Sequence, residues 1–198
     1  VMYHFRKNGR HIAYLNSIAD YQGFRLIDAG SYDYKHNEAN GEHNLDGSNY
    51  NYSWNCGEEG NTGNKDILKL RKQQIKNALC LIFFSQGTPY IFMGDEMGQS
   101  QQGNNNPYNQ DNEISWLNWK NLQVNKEILE FTRELIVYRK EHPILHMDEM
   151  MNGNDILGCG YPDLSFHGLE VYRPLSEPYR KERARDELPQ SGSGRTIM

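Results

Sequence analysis

Apolar residues recur at three- and four-residue steps over two stretches of the chain, and in two others they run together in short blocks. Ile67, Leu70, Ile75, Ala78, Leu79 and Ile82 follow the helical period, with Arg71, Lys72 and Lys76 off the stripe. This predicts an amphipathic helix over 65–86, packed on a core. Asn64 is its N-cap, and Asp66 in the first turn meets the positive end of the helix dipole. Val124, Ile128, Phe131, Leu135 and Tyr138 predict a second helix that closes before Pro143. The blocks at 13–18 and 90–93, the latter running into Gly94-Asp95-Glu96, predict short buried strands. Residues 1–12 are basic and polar and read as an approach loop.

Two long polar stretches, 30–64 and 98–121, separate these elements. The first carries eight asparagines between Asn37 and Asn64, and both hold tryptophan. Disordered linkers are poor in aromatics, so these stretches read as functional loops. The order is strand, loop, helix, strand, loop, helix. That alternation suits a parallel α/β sheet or barrel, whose post-strand loops form the active face. Beyond Leu145 the regularity fades. Residues 156–172 mix glycine, apolar and aromatic residues and predict strands of an appended β domain. Residues 174–198, dense in both charge signs and carrying Ser-Gly-Ser-Gly at 191–194, predict an unstructured or out-of-family tail.

Composition narrows the function. A chain of 198 residues fits one domain or a piece of a larger one, and 37% apolar with 12% aromatic residues can build a core. Twenty-one basic against 26 acidic side chains leave a net charge of −5, which argues against nucleic-acid or membrane partners. No apolar run reaches the roughly 18 residues of a membrane span. No basic-then-apolar leader opens the sequence. Cys56, Cys80 and Cys159 are odd in number and lack metal spacing, so a reduced, cytoplasmic setting with no metal and no cofactor is expected.

Loops rich in Asn, Gln and Asp with interspersed Trp and Tyr suit sugar binding. Amides and carboxylates pair with vicinal hydroxyls, and aromatic faces pack on a pyranose. Asparagine-rich turns anchored by their tryptophans account for the same composition. Glycoside hydrolysis needs two carboxylates across the scissile bond. Asp20, Asp28, Glu38, Asp46, Asp95, Glu96, Asp111 and Glu113 are candidates, and spacing alone pairs none of them. His36 and His43 lie seven residues apart without a carboxylate pattern, which speaks against a metal site. Ser53, Ser85 and Ser115 lack a nucleophile-elbow context, and no phosphate-cradling glycine loop is present.

Longer motifs are more specific. Lys35-His36-Asn37-Glu38-Ala39-Asn40-Gly41-Glu42, Asn44-Leu45-Asp46-Gly47, Ser53-Trp54-Asn55-Cys56-Gly57 and Ser85-Gln86-Gly87-Thr88-Pro89 occur in that order. Gly94-Asp95-Glu96 comes next, then Gln102-Gly103-Asn104-Asn105-Asn106 and Gln110-Asp111-Asn112-Glu113-Ile114-Ser115-Trp116. Over roughly residues 8–172 this set resembles the glycogen debranching enzymes of the isoamylase and pullulanase type, in glycoside hydrolase family 13. The resemblance implies an α/β fold, the last quarter of a (β/α)8 TIM barrel that cleaves α-1,6 branch linkages with retention. Strand seven would lie near 13–22, helix seven at 65–86, strand eight at 89–94 and helix eight near 124–141. Residues 1–142 would then be the C-terminal part of the catalytic barrel and 143–173 the start of a C-terminal β domain. The family's nucleophilic Asp and acid/base Glu lie on earlier strands. The missing N-terminal part of the barrel is therefore an expected partner, and the fragment itself is expected to be inactive. Glycogen or branched maltodextrin is the other partner, with Trp54, Asn105, Asp111, Asn112 and Trp116 as its contacts by resemblance. Asp95 and Glu96 are expected to stabilise the loop after strand eight.

One departure from the family bears on chemistry. At the end of strand seven the family carries His-Asp before Gly-Phe, the His binding sugar and the Asp stabilising the transition state. Here Tyr21 and Gln22 stand at those positions, before Gly23-Phe24. Glutamine brings no charge to a developing oxocarbenium ion, a loss of roughly a hundred- to thousandfold in rate. Asp20, on the same strand side as Gln22 and roughly 6–7 Å away, is the carboxylate placed to substitute. Besides a fragment of a hydrolase, the chain reads as a non-catalytic glucan-binding relative with a degenerate active site, or as a truncated, unfunctional gene product.

Overall fold

The computed structural model describes residues 5–9, 11–155 and 158–167. Contacts divide the chain between Met150 and Met151 into two units. In the first, strand β1 (Leu15–Asn16) pairs in parallel with strand β2 (Thr88–Pro89), Leu15 opposite Thr88 and Asn16 opposite Pro89. Between them run a short helix α1 (Leu26–Ala29), the first long loop and helix α2 (Lys65–Phe84). After β2 come the second long loop, a short helix α3 (Asn121–Val124) and helix α4 (Lys126–Glu141). The arrangement is an α/β unit with a parallel strand pair.

Helix α2 starts where the sequence places it. The Asn64 side chain accepts hydrogen bonds from the backbone of Asp66 (3.0 Å) and Ile67 (3.5 Å), satisfying two of the otherwise unpaired first-turn donors. Ile75, Leu79, Ile82 and Phe83 of α2 meet Ile128 and Leu135 of α4, joined by Ala19 and Leu26. Leu79 and Ile128 have no exposed surface. Full burial of one such side chain contributes about 2 kcal/mol.

Four expectations are corrected. Arg71 does not lie off the stripe; it is buried on it, four residues before Ile75. From there its guanidinium donates to the carbonyls of Gly60 (2.6 Å), Asn55 (3.0 Å) and Glu58. Likewise α4 buries Ile128, Thr132, Leu135 and Arg139, while Val124 and Tyr138 are exposed. The strand expected at 13–18 contracts to two residues, and Leu15 is 68% exposed, because no strand pairs with its other edge among the described residues. The second strand lies at Thr88–Pro89 rather than 90–93. The chain turns there because the Asp95 carboxylate accepts the backbone N–H of Phe92 (3.3 Å).

Two residues fasten the end of α2 to the segments beyond it. Arg139, buried on α4, donates to the carbonyls of Phe83 (2.6 Å), Ser85 (2.8 Å) and Gly87 (2.5 Å). These are carbonyls that a helix end and the adjoining turn leave without partners. Gln86 donates to Ile144 O (2.6 Å) and accepts from Met147 N (2.9 Å), tying the start of β2 to the segment after α4.

In the second unit, Asp163 accepts the backbone N–H groups of Asn152 (2.9 Å) and Gly153 (2.7 Å). Asp155 does the same for Cys159 (2.9 Å) and Gly160 (2.6 Å). These are carboxylate-pinned turns, and residues 158–167 form no strand. The remainder of the 156–172 stretch and the 174–198 tail lie outside the described residues.

Replacing Arg139 with Met keeps the apolar stem but leaves three carbonyls without their donor. Urea denaturation should register a loss of about 3 kcal/mol, from the cost of unsatisfied buried polar groups; an unchanged midpoint would remove Arg139 from the account.

Candidate functional site

The two long loops come after the two strands and close on each other through side-chain amides. Asn37 Nδ2 donates to Asn105 Oδ1 (2.9 Å), and the Asn105 backbone N–H returns a bond to Asn37 Oδ1 (3.0 Å). Asn104 Nδ2 donates to Asn40 Oδ1 (2.8 Å), and Asn40 Nδ2 donates to the Asn106 carbonyl (2.9 Å). The Asn37, Asn40, Asn104 and Asn105 side chains are all buried. Asp46 collects the edge of the network, its Oδ2 accepting from Asn40 (2.7 Å), Asn106 (2.9 Å) and Asn37 (3.3 Å). Burial pushes the Asp46 carboxyl up, but these bonds outweigh it and hold it below the usual range. Lys35 Nζ meanwhile donates to the Asp46 carbonyl (2.7 Å). Gly47 sits so close, at φ +71°, that a Cβ there would lie 2.3 Å from Asn105 Oδ1.

Glu59 is a second hub. It accepts from the backbone N–H groups of Asp33 (2.8 Å) and Tyr34 (3.0 Å), from Asn55 Nδ2 (3.1 Å), and bonds His36 Nε2 (3.1 Å). Below the loops, fully buried Asp28 of α1 accepts from Ser100 Oγ (2.5 Å) and Gln101 N (2.7 Å). Burial pushes its carboxyl up to about 6, against those two bonds. Asp95 is pushed up to about 6 by burial as well, opposed by Arg25. The Arg25 guanidinium lies over the Phe92 ring at 4.0 Å and donates to the Met93 carbonyl. Its Nε and Nη1 are buried without a hydrogen-bond partner. Burial accordingly lowers its pKa.

The sequence-selected residues fall into four separate groups. Asp111, Asn112 and Trp116 share one turn. Asp111 Oδ1 accepts from Trp116 Nε1 (2.9 Å), and Asn112 Oδ1 accepts from Ile114 N (2.9 Å). Trp116 remains 58% exposed. Gln110 ties this turn to the first loop, donating to Ala39 O (3.0 Å) and Asn40 Oδ1 (2.9 Å). Asn105 belongs to the buried network instead. Its Nδ2 donates to Ser48 O (2.8 Å) and Asn51 Oδ1 (2.6 Å), and its Oδ1 is taken by Asn37, so the amide is engaged by the protein itself. Trp54 lines an apolar cleft of about 190 Å³ with Ile18, Leu26, Tyr52, Ile75 and Ala78, beside α2.

Tyr21 and Gln22 form the fourth group, exposed in the bend between β1 and α1. The Gln22 backbone N–H donates to Asp20 Oδ1 (2.7 Å). Because β1 ends at Asn16, the strand alternation expected to align Asp20 with Gln22 does not extend to them. Of the remaining carboxylates, Asp95 and Glu96 stabilise the turn after β2, Asp95 accepting from Leu26 N (3.2 Å) and Glu96 from Gly94 N (2.9 Å). Among the described residues no three His, Cys, Asp or Glu side chains converge as metal ligands.

Comparison with known proteins gives this geometry its context. The chain is 46% identical over 147 residues to the glycogen operon protein GlgX homolog of Mycobacterium tuberculosis, covering 74% of this chain and 20% of that protein. It is 43% identical over 143 residues to isoamylase 3, chloroplastic, of rice, covering 72% and 18%.

The chain belongs to the glycogen debranching enzymes of the α-amylase family.

It spans about a fifth of the length of these debranching relatives. No family model matches it. Among solved structures, the pullulanase from Bacillus acidopullulyticus aligns with 67% of the chain and 13% of its own, at 20% identity and a TM-score of 0.46. A Paenibacillus barengoltzii pullulanase in complex with maltohexaose and α-cyclodextrin aligns with 43% of the chain and 13% of its own, at 28% identity and a TM-score of 0.40. In debranching-family terms, the loop motifs that marked the sequence are the ones that build the amide network. No helix among the described residues is long and apolar enough to cross a membrane.

Asp28 gives a signed pH test. Its folded value, about 6, lies above its ordinary 3.8. The native state therefore binds more protons between those values, and stability present at low pH is lost as pH rises through 6. Asp28→Asn, which cannot ionise, should gain on the parent by about 2 kcal/mol between pH 4 and pH 8 in matched urea titrations. A constant difference across that range would show that the carboxyl is not perturbed by its burial.

Proposed function

We propose that this chain is the C-terminal part of a (β/α)8 barrel in an α-1,6-glucan debranching hydrolase, binding glycogen or branched maltodextrin through its second loop and inactive on its own. The observation that carries the reading is the second-loop turn. Asp111 holds the Trp116 indole by its N–H, leaving the ring exposed as a platform for a pyranose, beside the amide of Asn112. The parallel pairing of β1 with β2 across α2 supports strands seven and eight of such a barrel. The first loop then acts as support, its amide network fixing the height of the turn through Gln110. Residues 1–142 are the barrel part, and 143–173 open the next domain.

Chemistry within the chain is limited. Retaining hydrolysis requires a nucleophile and an acid/base carboxylate about 5 Å apart. Asp28, Asp46 and Asp95 are each committed to fixing the protein's own groups. Tyr21 and Gln22 occupy the subsite and transition-state positions, and Asp20 is tied to the Gln22 backbone. The uncharged amide at Gln22 favours the second reading, a glucan-binding relative whose barrel has lost its chemistry.

Electrophoresis through glycogen-containing gels, with reducing-end release from pullulan measured in parallel, tests both parts. The chain should be retarded by glycogen and release no reducing ends. Trp116→Ala should weaken retention about tenfold, the worth of one stacking aromatic. Absence of retardation overturns glucan binding, and hydrolysis by the chain alone overturns its inactivity.

A further inference from the structure

Asparagine is followed by glycine three times in the chain, at Asn8–Gly9, Asn40–Gly41 and Asn152–Gly153. Such a pair is chemically labile, because glycine has no side chain to keep its backbone nitrogen away from the neighbouring amide carbon. The glycine nitrogen attacks Cγ of the asparagine, and the new C–N bond closes a five-membered succinimide. The side-chain nitrogen leaves as ammonia, taking the proton that the glycine nitrogen gives up. Water then opens the ring at either carbonyl, to aspartate or to isoaspartate.

The fold treats the three pairs differently. Asn40 is buried, and its amide donates to Asp46 (2.7 Å) and the Asn106 carbonyl (2.9 Å) while accepting from Asn104 (2.8 Å). The Gly41 N–H is bound as well, to Glu38 O (3.1 Å). Neither reacting group can turn toward the other without breaking the network. Asn8 is half-buried, and its amide donates to the Met147 carbonyl. Asn152 is exposed, and its side-chain amide makes no hydrogen bond among the described residues. Gly153 sits at φ +74°, a conformation that favours glycine, so the turn itself calls for the labile pair.

What restrains this third pair acts on the nucleophile. Asp163 accepts from the Gly153 N–H (2.7 Å) as well as from the Asn152 N–H (2.9 Å). A carboxylate stabilises the protonated amide, and the nitrogen must lose that proton to attack. Holding it slows ring closure about tenfold, the worth of one hydrogen bond to a charged acceptor.

We propose that Asn152–Gly153 is a site of spontaneous deamidation with Asp163 as its brake, and that Asn40–Gly41 is exempt. The product places a new negative charge beside Asp163, on a chain already at −5. In isoaspartate the backbone runs through the former side chain and gains one carbon, so the two N–H groups no longer meet both oxygens of Asp163. The turn then opens. The amide network of the loops is spared this reaction; a carboxylate at position 40 would stand against that of Asp46. The reaction is independent of glucan binding.

The test holds the full chain at mildly alkaline pH in water enriched in heavy oxygen, so that each opened succinimide carries a label. Peptides are mapped by mass spectrometry, with fragmentation that separates aspartate from isoaspartate. A parallel sample in guanidinium chloride gives the rates without the fold, and there all three pairs should label alike. The native chain should label Asn152 first, Asn8 more slowly and Asn40 not at all in the same interval. Asp163→Ala should speed labelling at Asn152 about tenfold and leave Asn8 unchanged. Asp163→Asn, which keeps an acceptor without its charge, should fall between. Native Asn152 unlabelled after roughly ten times the interval that labels it in guanidinium, or overtaken by Asn8 or Asn40, would overturn the site. An unchanged rate in Asp163→Ala would overturn the brake.

Discussion

The reciprocal bonds between Asn37 and Asn105, and between Asn40 and Asn104, hold the rest of the molecule's polar half in place. Amide side chains suit this task because each carries a donor and an acceptor on one short arm. An aspartate there would lose the donor, and a glutamine would overshoot the spacing. Once buried, such a network tolerates no missing member, since every unpaired group bears its full desolvation cost. Gly47 belongs to the same constraint, because the space a side chain would occupy is filled by Asn105 and Asn37. Two loops of irregular backbone are thereby given one fixed arrangement without a hydrophobic core of their own. The exposed turn at Asp111–Trp116 inherits its position from them.

Beneath the network, charge does similar work in a drier setting. Asp28 receives the start of the second loop, and Asp95 receives the start of α1. Arg25 lies among Asp28, Asp95 and Glu96, which together favour its charge while burial disfavours it. The segment leaving β1 is thus fixed to the segment leaving β2 by buried ions as well as by backbone pairing. Tyr21 and Gln22 lie just ahead of this fixed point, exposed to solvent.

How much of this was legible in the sequence depends on the range of the interactions. The α2 cap at Asn64 and the periods of α2 and α4 are local, and they were legible to within a few residues. Arg71 and Arg139 were not, because a charged residue reads as solvent-facing unless its carbonyl partners, 11 to 56 positions away, are known. Strand lengths were overestimated for a related reason: a strand is as long as its neighbour allows, and apolar blocks carry no count of neighbours. The loops illustrate the limit of composition. Asparagine suits a sugar's hydroxyls and suits other asparagines equally well, so Asn105 and Asn112 looked alike in sequence. The structure buries the first in the amide network and leaves the second half-buried at the surface turn, bonded to Gln110 and Ile114.

The three carbonyls gathered by Arg139 carry a consequence for how order spreads through the chain. Until α4 arrives, the last turn of α2 and the residues entering β2 can satisfy those oxygens only with water, and the stretch frays. When it arrives, one guanidinium closes the helix end and fixes the approach of the strand in a single event. Helix–helix docking and strand placement are therefore one cooperative step. Backbone amides near Gly87 would open to solvent exchange together with α4, although no sheet bond joins them.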